Sequence, residues 1–374
     1  MTAIYTMTLL MNITAPAPIL HGLVVGVHFA VLDRALEQDD HATFDRVYAA
    51  ILKAGQQRRL FDFVAARLEK SSNTMRHTLI YCIRDFPDRA KEAAPLLRRI
   101  ADDLKADYQN RVVAVRMLTF TGDSSRQTLD VLLRCLHHKP AIPKPNPAVG
   151  AGVNLRVAFP DVSAELRSAA CLALWKLEKK TEVIAPTLLE ILVSHESWDK
   201  RVAIKTIGEI GPDLKEMVGP ELMKLMYSDV RIDVYPLVPA FASKPEIAAQ
   251  ELAKALVEAN ESQTKMTEDF HAGRTKLTLQ QFGFASRCGR KEISLAAYTL
   301  ASLGEAAIPE IVKLLQQQDR DARSAGLFAL RKMVMAKNVK DAMKAREDVK
   351  KLLNDPDENI KAAAEALLKE LSSK

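Results

Sequence analysis

The tightest constraint on this chain is a phrase that occurs twice between Glu165 and Gly211. The first copy reads Arg167-Ser-Ala-Ala170-Cys-Leu-Ala173-Leu174-Trp-Lys-Leu177, the second Lys200-Arg-Val-Ala203-Ile-Lys-Thr206-Ile207-Gly-Glu-Ile210-Gly211. Each copy places small or apolar residues 3, 6, 7 and 10 positions after a basic residue. Those offsets fall on one stripe of an α-helix, so each phrase predicts a helix with one buried face. The copies start 33 residues apart, Arg167 to Lys200, a period at which short helical pairs stack into a solenoid. One such pair cannot bury its stripe alone, whereas a row of them buries it jointly.

The same template recurs along the chain. It is met at Arg76 (Leu79, Cys82, Ile83, Phe86), Arg111 (Ala114, Met117, Leu118, Thr121), Arg231 (Val234, Leu237, Val238, Phe241), Ile293 (Ala296, Thr299, Leu300, Leu303), Arg323 (Gly326, Ala329, Leu330, Met333) and Lys361 (Ala364, Leu367, Leu368, Leu371). Two gaps are long. The 56 residues from Arg111 to Arg167 hold Pro140, Pro143, Pro145, Pro147 and Pro160, which predict an extended surface loop. The 62 residues from Arg231 to Ile293 are twice 31, which predicts one degenerate repeat hidden between Pro245 and Arg290. Pro236 and Pro239 inside the Arg231 copy predict a broken helix. A second helix recurs between the phrases, marked by Ala94-Pro95, Ala185-Pro186, Gly219-Pro220 and Ile308-Pro309. Proline is favourable in a first helical turn, which is where these are expected. Asp161, Asp199, Asp319 and Asp357 are read as turn and cap residues.

Proline-marked Leu-rich helix, Asp-containing turn, then R-x-x-A-x-x-A-L-x-x-L/I-G: this pattern resembles the HEAT repeat over roughly Asn73 to Leu371. The resemblance implies an all-α chain, an armadillo-type α-solenoid of stacked antiparallel helix pairs wound into a HEAT-like superhelix. It also implies that the second helix of each pair lines a concave face. The expected organisation is a tail and capping helix over 1–40, HEAT-like repeats over 41–139, a Pro-rich inserted loop over 140–160, and further repeats over 161–374 with an irregular segment at 262–290.

Composition sets the partner class. With only 14 glycines and 6% aromatic residues the chain favours helix. A net charge of +6 and a pI near 9.0 favour acidic partners without demanding nucleic acid. Cys82, Cys135, Cys171 and Cys288 form no close pair, so a disulfide framework is not expected and a reducing, cytoplasmic setting is. The apolar run Ile19–Leu32 is too short to span a bilayer and lacks a basic lead-in. It predicts a capping helix after a loose tail, with an export signal as the alternative not favoured. Two amphipathic helices are expected over Ala42–Lys70, broken near Gly55.

If template positions 3, 6, 7 and 10 face the core, positions 1, 5 and 8 form the opposite stripe. None of these 24 positions is acidic, although 47 of 374 residues are. The stripe supplies the candidate binding residues Tyr81, Arg84, Arg116, Trp175, Arg201, Lys205, Tyr298, Phe328 and Arg331. Cations with aromatic anchors suit a protein partner with an acidic surface or peptide.

No catalytic, metal or cofactor residues are assigned. His195-Glu196 resembles the iron-binding pairs of HEAT-like deoxyhypusine hydroxylases, which need several such pairs where this chain has one. Cys135-Leu-His137-His138 lacks a fourth zinc donor and reads better as a helix end. Phe270, His271, Arg274, Lys276, Phe282, Phe284, Arg287 and Arg290 interleave aromatic and basic residues between Met266 and Arg290; a degenerate repeat with core phenylalanines is preferred over a nucleic-acid or acidic-peptide site. The leading function is a non-enzymatic scaffold or adaptor. The alternatives are a nucleic-acid binder of the HEAT-like alkylpurine DNA glycosylase type, and a bilin-lyase-type enzyme for which the chain offers no nucleophile.

Overall fold

A computed structural model describes residues 17–138 and 163–373 of the chain. The tail 1–16, Asp161 and the whole Pro-rich segment 140–160 therefore lie outside the described residues. Those described are helical, with no strand among them. In chain order the helices are α1 (Ala17–Glu37), α2 (His41–Lys53), α3 (Gln57–Arg67), α4 (Asn73–Cys82), α5 (Ala90–Asp102), α6 (Tyr108–Thr121), α7 (Arg126–Leu136), α8 (Ser163–Glu178), α9 (Thr181–Leu192), α10 (Ser197–Ile210), α11 (Lys215–Lys224), α12 (Arg231–Val234), α13 (Val238–Phe241), α14 (Pro245–His271), α15 (Leu279–Ser302), α16 (Ile308–Leu315), α17 (Arg320–Met335), α18 (Val339–Ala342), α19 (Arg346–Lys351) and α20 (Glu358–Ser372). The chain divides into two compact units, Met1–Thr187 and Leu188–Lys374, the boundary falling inside α9.

Within each unit the expected layering is present. Every template copy lies on the second of two consecutive helices. In the first unit α4, α6 and α8 pack side by side; in the second, α10, α12, α15, α17 and α20 do. All template core positions are buried except Leu177, Leu237, Leu303 and Leu368, which are half-buried. The fold is a HEAT-like α-solenoid.

The basic residue that opens the phrase has a local cause. Arg76 Nε donates to Leu68 O at 2.9 Å, Arg111 Nε to Ala101 O at 3.0 Å, and Arg167 Nε to Leu136 O at 3.1 Å. Arg323 donates through NH1 to Gln317 O at 3.1 Å and Gln318 O at 2.5 Å. Each guanidinium thus satisfies carbonyls at the end of the preceding helix, where no intrahelical donor exists and a cation is favoured. Aspartates and serines fill the complementary role at helix starts: Asp107 accepts from Asn110 N, Asp319 from Ala322 N, and Asp357 from Asn359 N and Ile360 N. Asp199 differs from its expected role. It sits inside the first turn of α10, buried, accepting from Ser194 Oγ at 3.0 Å.

Three expectations are corrected. Pro95, Pro186 and Pro220 are the sixth residues of α5, α9 and α11, and only Pro309 lies in a first turn. Those three helices start a turn earlier than the proline. The rings sit on exposed faces, so the carbonyl each leaves unpaired faces water. Second, 262–290 is not irregular: it is the far end of one long hairpin, α14 and α15, helical except at the turn 272–278. Third, no repeat is hidden there. The 62-residue gap is taken up by the length of that hairpin, and the Ile293 template begins midway along α15. With no helix end beside it, Ile293 has no carbonyls to cap, which is why a basic residue is dispensable. The helix at Arg231 breaks as its prolines require, into α12, a 3-10 turn over Tyr235–Leu237, and α13.

Candidate functional site

Position on the second helix decides what each stripe residue meets. Arg116 on α6 reaches Glu165 on α8, NH2 to Oε1 3.0 Å. Arg201 on α10 faces Asp233 on α12 at 3.3 Å, and Arg331 on α17 faces Glu370 on α20 at 3.2 Å. In each case the carboxylate comes from the next second helix in the row. The stripe contains no acid when each helix is counted alone, yet packing supplies one from a neighbouring register. Arg84 and Lys205 are exposed and make no ion pair among the described residues.

The aromatic members sit half in and half out. Tyr81 is 38% exposed and lies edge-on to His77, ring centroids 5.2 Å apart. Lys179 Nζ lies 3.4 Å from the centre of the Trp175 ring, and Lys332 Nζ 4.9 Å from that of Phe328. Such stacking holds each ring in one orientation. Tyr298 is 54% exposed on α15. Val112, Ser168 and Ala301, although on the same template stripe, are buried between neighbouring helices, so the stripe is not solvent-facing in every repeat.

One part of the stripe lines a groove. In the second unit, Ser324, Phe328 and Arg331 of α17 join Ala363 and Ala366 of α20 around a cavity of about 310 Å³. Leu327, Ile360 and Leu367 form its apolar bed, and Asn260 and Thr264 of α14 close one rim. Asn260 Nδ2 donates to Asp321 O at 3.1 Å, and Thr264 Oγ1 to Asp321 Oδ1 at 3.3 Å. Arg320 pairs with Asp357 at 2.7 Å. Burial pushes the Asp357 carboxyl up, but the N–H groups of Ile360 and Asn359 and the charge of Arg320 outweigh it and hold it below the ordinary carboxylate range. The groove has an apolar bed and a polar rim, and its volume is at the lower end of those of ligand pockets.

The structure places Phe328 and Arg331 at the groove; Arg201 and Lys205 share α10, Tyr81 and Arg84 lie within one turn, and Arg116, Trp175 and Tyr298 lie on separate helices. Sequence reasoning missed Asn260, Thr264, Arg320 and Asp321. Asn260 and Thr264 are four apart on α14, a spacing that shares a helix face, but the segment was not read as helix.

Other candidates resolve into packing. Cys135 is buried with Sγ 3.6 Å from Ala101 O, and burial pushes its thiol up to about 11. Cys82 is likewise buried and pushed up to about 12. His195 and Glu196 lie in the loop before α10. Among the described residues no group of three His, Cys, Asp or Glu is arranged to hold a metal ion. No helix among them is long and apolar enough to cross a membrane.

No family model matches the sequence, and no curated protein matches it. Solved structures do match by fold. Kap121p is similar with a TM-score of 0.56 at 13% identity, over 93% of this chain and 37% of that one. The karyopherin Kap121p bound to the extreme C-terminus of the protein phosphatase Cdc14p is similar with a TM-score of 0.54 at 13% identity, over 93% and 38%. Importin beta matches with a TM-score of 0.48 at 12% identity, over 89% of this chain and 43% of that one. This chain thus spans well under half the length of the solenoids it resembles.

Proposed function

We propose that this chain is a non-enzymatic protein-binding scaffold or adaptor that takes up an acidic segment of a partner protein along its second-helix stripe, with the Phe328 groove as one anchor point. The observation that carries the reading is the groove itself: an apolar bed flanked by an aromatic ring and arginines, on a fold whose neighbour holds the terminal segment of another protein. The stripe's ion pairs are compatible with capture of acid. Arg201–Asp233 and Arg331–Glu370 are solvent-exposed pairs, worth roughly 0–1 kcal/mol each, so a partner carboxylate can displace the resident one at little cost. Lys205 and Arg84 are available without displacement. Many modest contacts with a few aromatic anchors then set affinity.

The test is a binding titration of the full chain against a panel of acid-rich peptides carrying one apolar residue, with Phe328→Ser and Arg116→Glu/Lys205→Glu variants. Each variant should lose about tenfold in affinity while keeping the helical signal of the parent. Unaltered binding by both variants overturns the stripe and the groove together.

A further inference from the structure

The long hairpin continues past the packed body of its unit. The last buried residue of α14 is Ala259, and of residues 260–295 only Ser286 is buried. Thr264 still reaches Asp321 of α17, and the seven residues from there to His271 carry the hairpin roughly 10 Å further, at 1.5 Å per residue. What the far half buries is mostly itself. Phe270 and Phe282 stack face to face, centroids 3.9 Å apart and planes at 8°. Gln263 Nε2 donates to Ser286 Oγ at 3.1 Å, and Arg290 NH1 donates to the same oxygen at 2.6 Å.

The α15 side of this arm has one sign of charge, whereas its α14 side carries Glu261, Glu268 and Asp269 beside Lys265. Residues 270–291 contain no Asp or Glu. Arg274 is taken up by Asp269 at 2.8 Å, but Lys276, Arg287, Arg290 and Lys291 make no ion pair among the described residues. Apolar groups stand among these cations: Leu279 is 76% exposed, Phe284 65% and Leu277 37%. Phe284, Arg287 and Lys291 fall on one face of α15 by their three- and four-residue spacing. A ridge with both features, on a segment that contributes little to its unit's core, is the kind of exposed patch that marks an interaction site.

We propose that the far half of the α14–α15 hairpin is a docking arm for an acidic peptide segment of a partner protein that also carries apolar side chains, a second contact distinct from the Phe328 groove. The proposal rests on the protein-binding reading and adds a surface to it. Charge complementarity fixes the sign of the partner: four cations that make no ion pair among the described residues, on a stretch 270–291 without Asp or Glu, repel a basic chain and attract carboxylates. The apolar groups fix its kind. Two of the three exposed ones are leucines, which pack against aliphatic or aromatic side chains. Base stacking needs free aromatic faces; Phe270 and Phe282 each give one face to the other, which leaves Phe284 as the one largely exposed phenylalanine of the arm.

The experiment uses the full chain and a labelled peptide of alternating Glu/Asp and Leu/Phe. Its controls are the same peptide with Gln/Asn for the acids and a single-stranded oligonucleotide. The variants are Arg287→Glu/Lys291→Glu and Phe284→Ser, all at exposed positions, and Phe328→Ser in the groove. Expected is salt-sensitive binding of the acidic peptide at two sites, the arm's share weakened about tenfold or more by each hairpin variant and the groove's share by Phe328→Ser, neither share lost to the other site's variant, and no binding of the neutral peptide. Loss on Phe328→Ser with full binding by both hairpin variants overturns the arm and leaves the scaffold reading standing. Tighter binding of the oligonucleotide than of the peptide overturns the choice of partner. No binding of the acidic peptide by the parent chain overturns the arm outright.

Discussion

Replacing Asp355 by Asn tests whether the phrase-opening arginine works as a seam between repeats. Arg323 and Asp355 have side chains only 9% and 3% exposed. Arg323 Nε lies 2.6 Å from Oδ2, and NH2 donates to Oδ1 at 3.0 Å. Removing one partner of a buried pair leaves an uncompensated charge and costs roughly 3–5 kcal/mol. NH1 keeps its bonds to Gln317 O and Gln318 O, so the lower end applies, about 3 kcal/mol. At 1.4 kcal/mol per tenfold, protection of α17 and α20 amides against hydrogen exchange should fall by about a hundredfold. Helices of the first unit serve as an internal control. An apolar replacement of both partners, Arg323→Met with Asp355→Leu, should recover part of the loss, because no buried charge is then left, although the Gln317 and Gln318 carbonyls lose their donor. A loss below about 1 kcal/mol for Asp355→Asn, or no recovery in the double variant, refutes the reasoning.

Two further predictions concern the same physics. Gly326→Ala should destabilise by about 1 kcal/mol although alanine is the better helix former: a Cβ there would lie 2.9 Å from Leu315 Cδ2 and 3.2 Å from Leu314 Cβ, both in buried side chains, and overpacking outweighs propensity; a rise in melting temperature contradicts this. Asp123 supplies a pH dependence: burial raises its pKa, but hydrogen bonds from Thr128 and Ser125 and the charge of Arg98, 2.7 Å away, outweigh that and lower it. A depressed folded pKa contributes stability that is fully present above the unfolded value near ~3.9 and is lost as pH falls through the folded one. Urea midpoints of the parent and Asp123→Asn should therefore differ at neutral pH and converge as pH falls through the folded value; a gap that persists in acid removes this role.

How much could be read in advance varies with the range of the interaction. Ala114, Met117, Leu118 and Thr121 read as core by spacing alone, and they are buried, because a helix face depends on residues within three turns. The break at Pro236 and Pro239 was equally local. The position of Pro95, Pro186 and Pro220 was misjudged by a turn because helix starts depend on capping contacts from outside the helix. The far end of the hairpin α14–α15 reads as irregular in the sequence, where Gly273, Gly283 and Gly289 weaken helix propensity, while in the structure Gly289 admits Gln263 from the facing helix.

The candidate site shows the same division. Phe328 and Arg331 were legible as one face of a helix. Asn260 and Thr264, which complete the groove, lie on another helix some sixty residues away, and no one-dimensional period relates them. The stripe's cations were legible, but Glu165, Asp233 and Glu370 beside them were not.

The sequence by itself determined the repeat, the buried stripe and the cap chemistry, because each depends on offsets of a few residues along one helix. Only the tertiary structure decided which carboxylate meets which arginine, where a groove opens and how far the hairpin extends. Those features depend on the register of one helix against the next, and register is set by packing between residues that are distant in the chain.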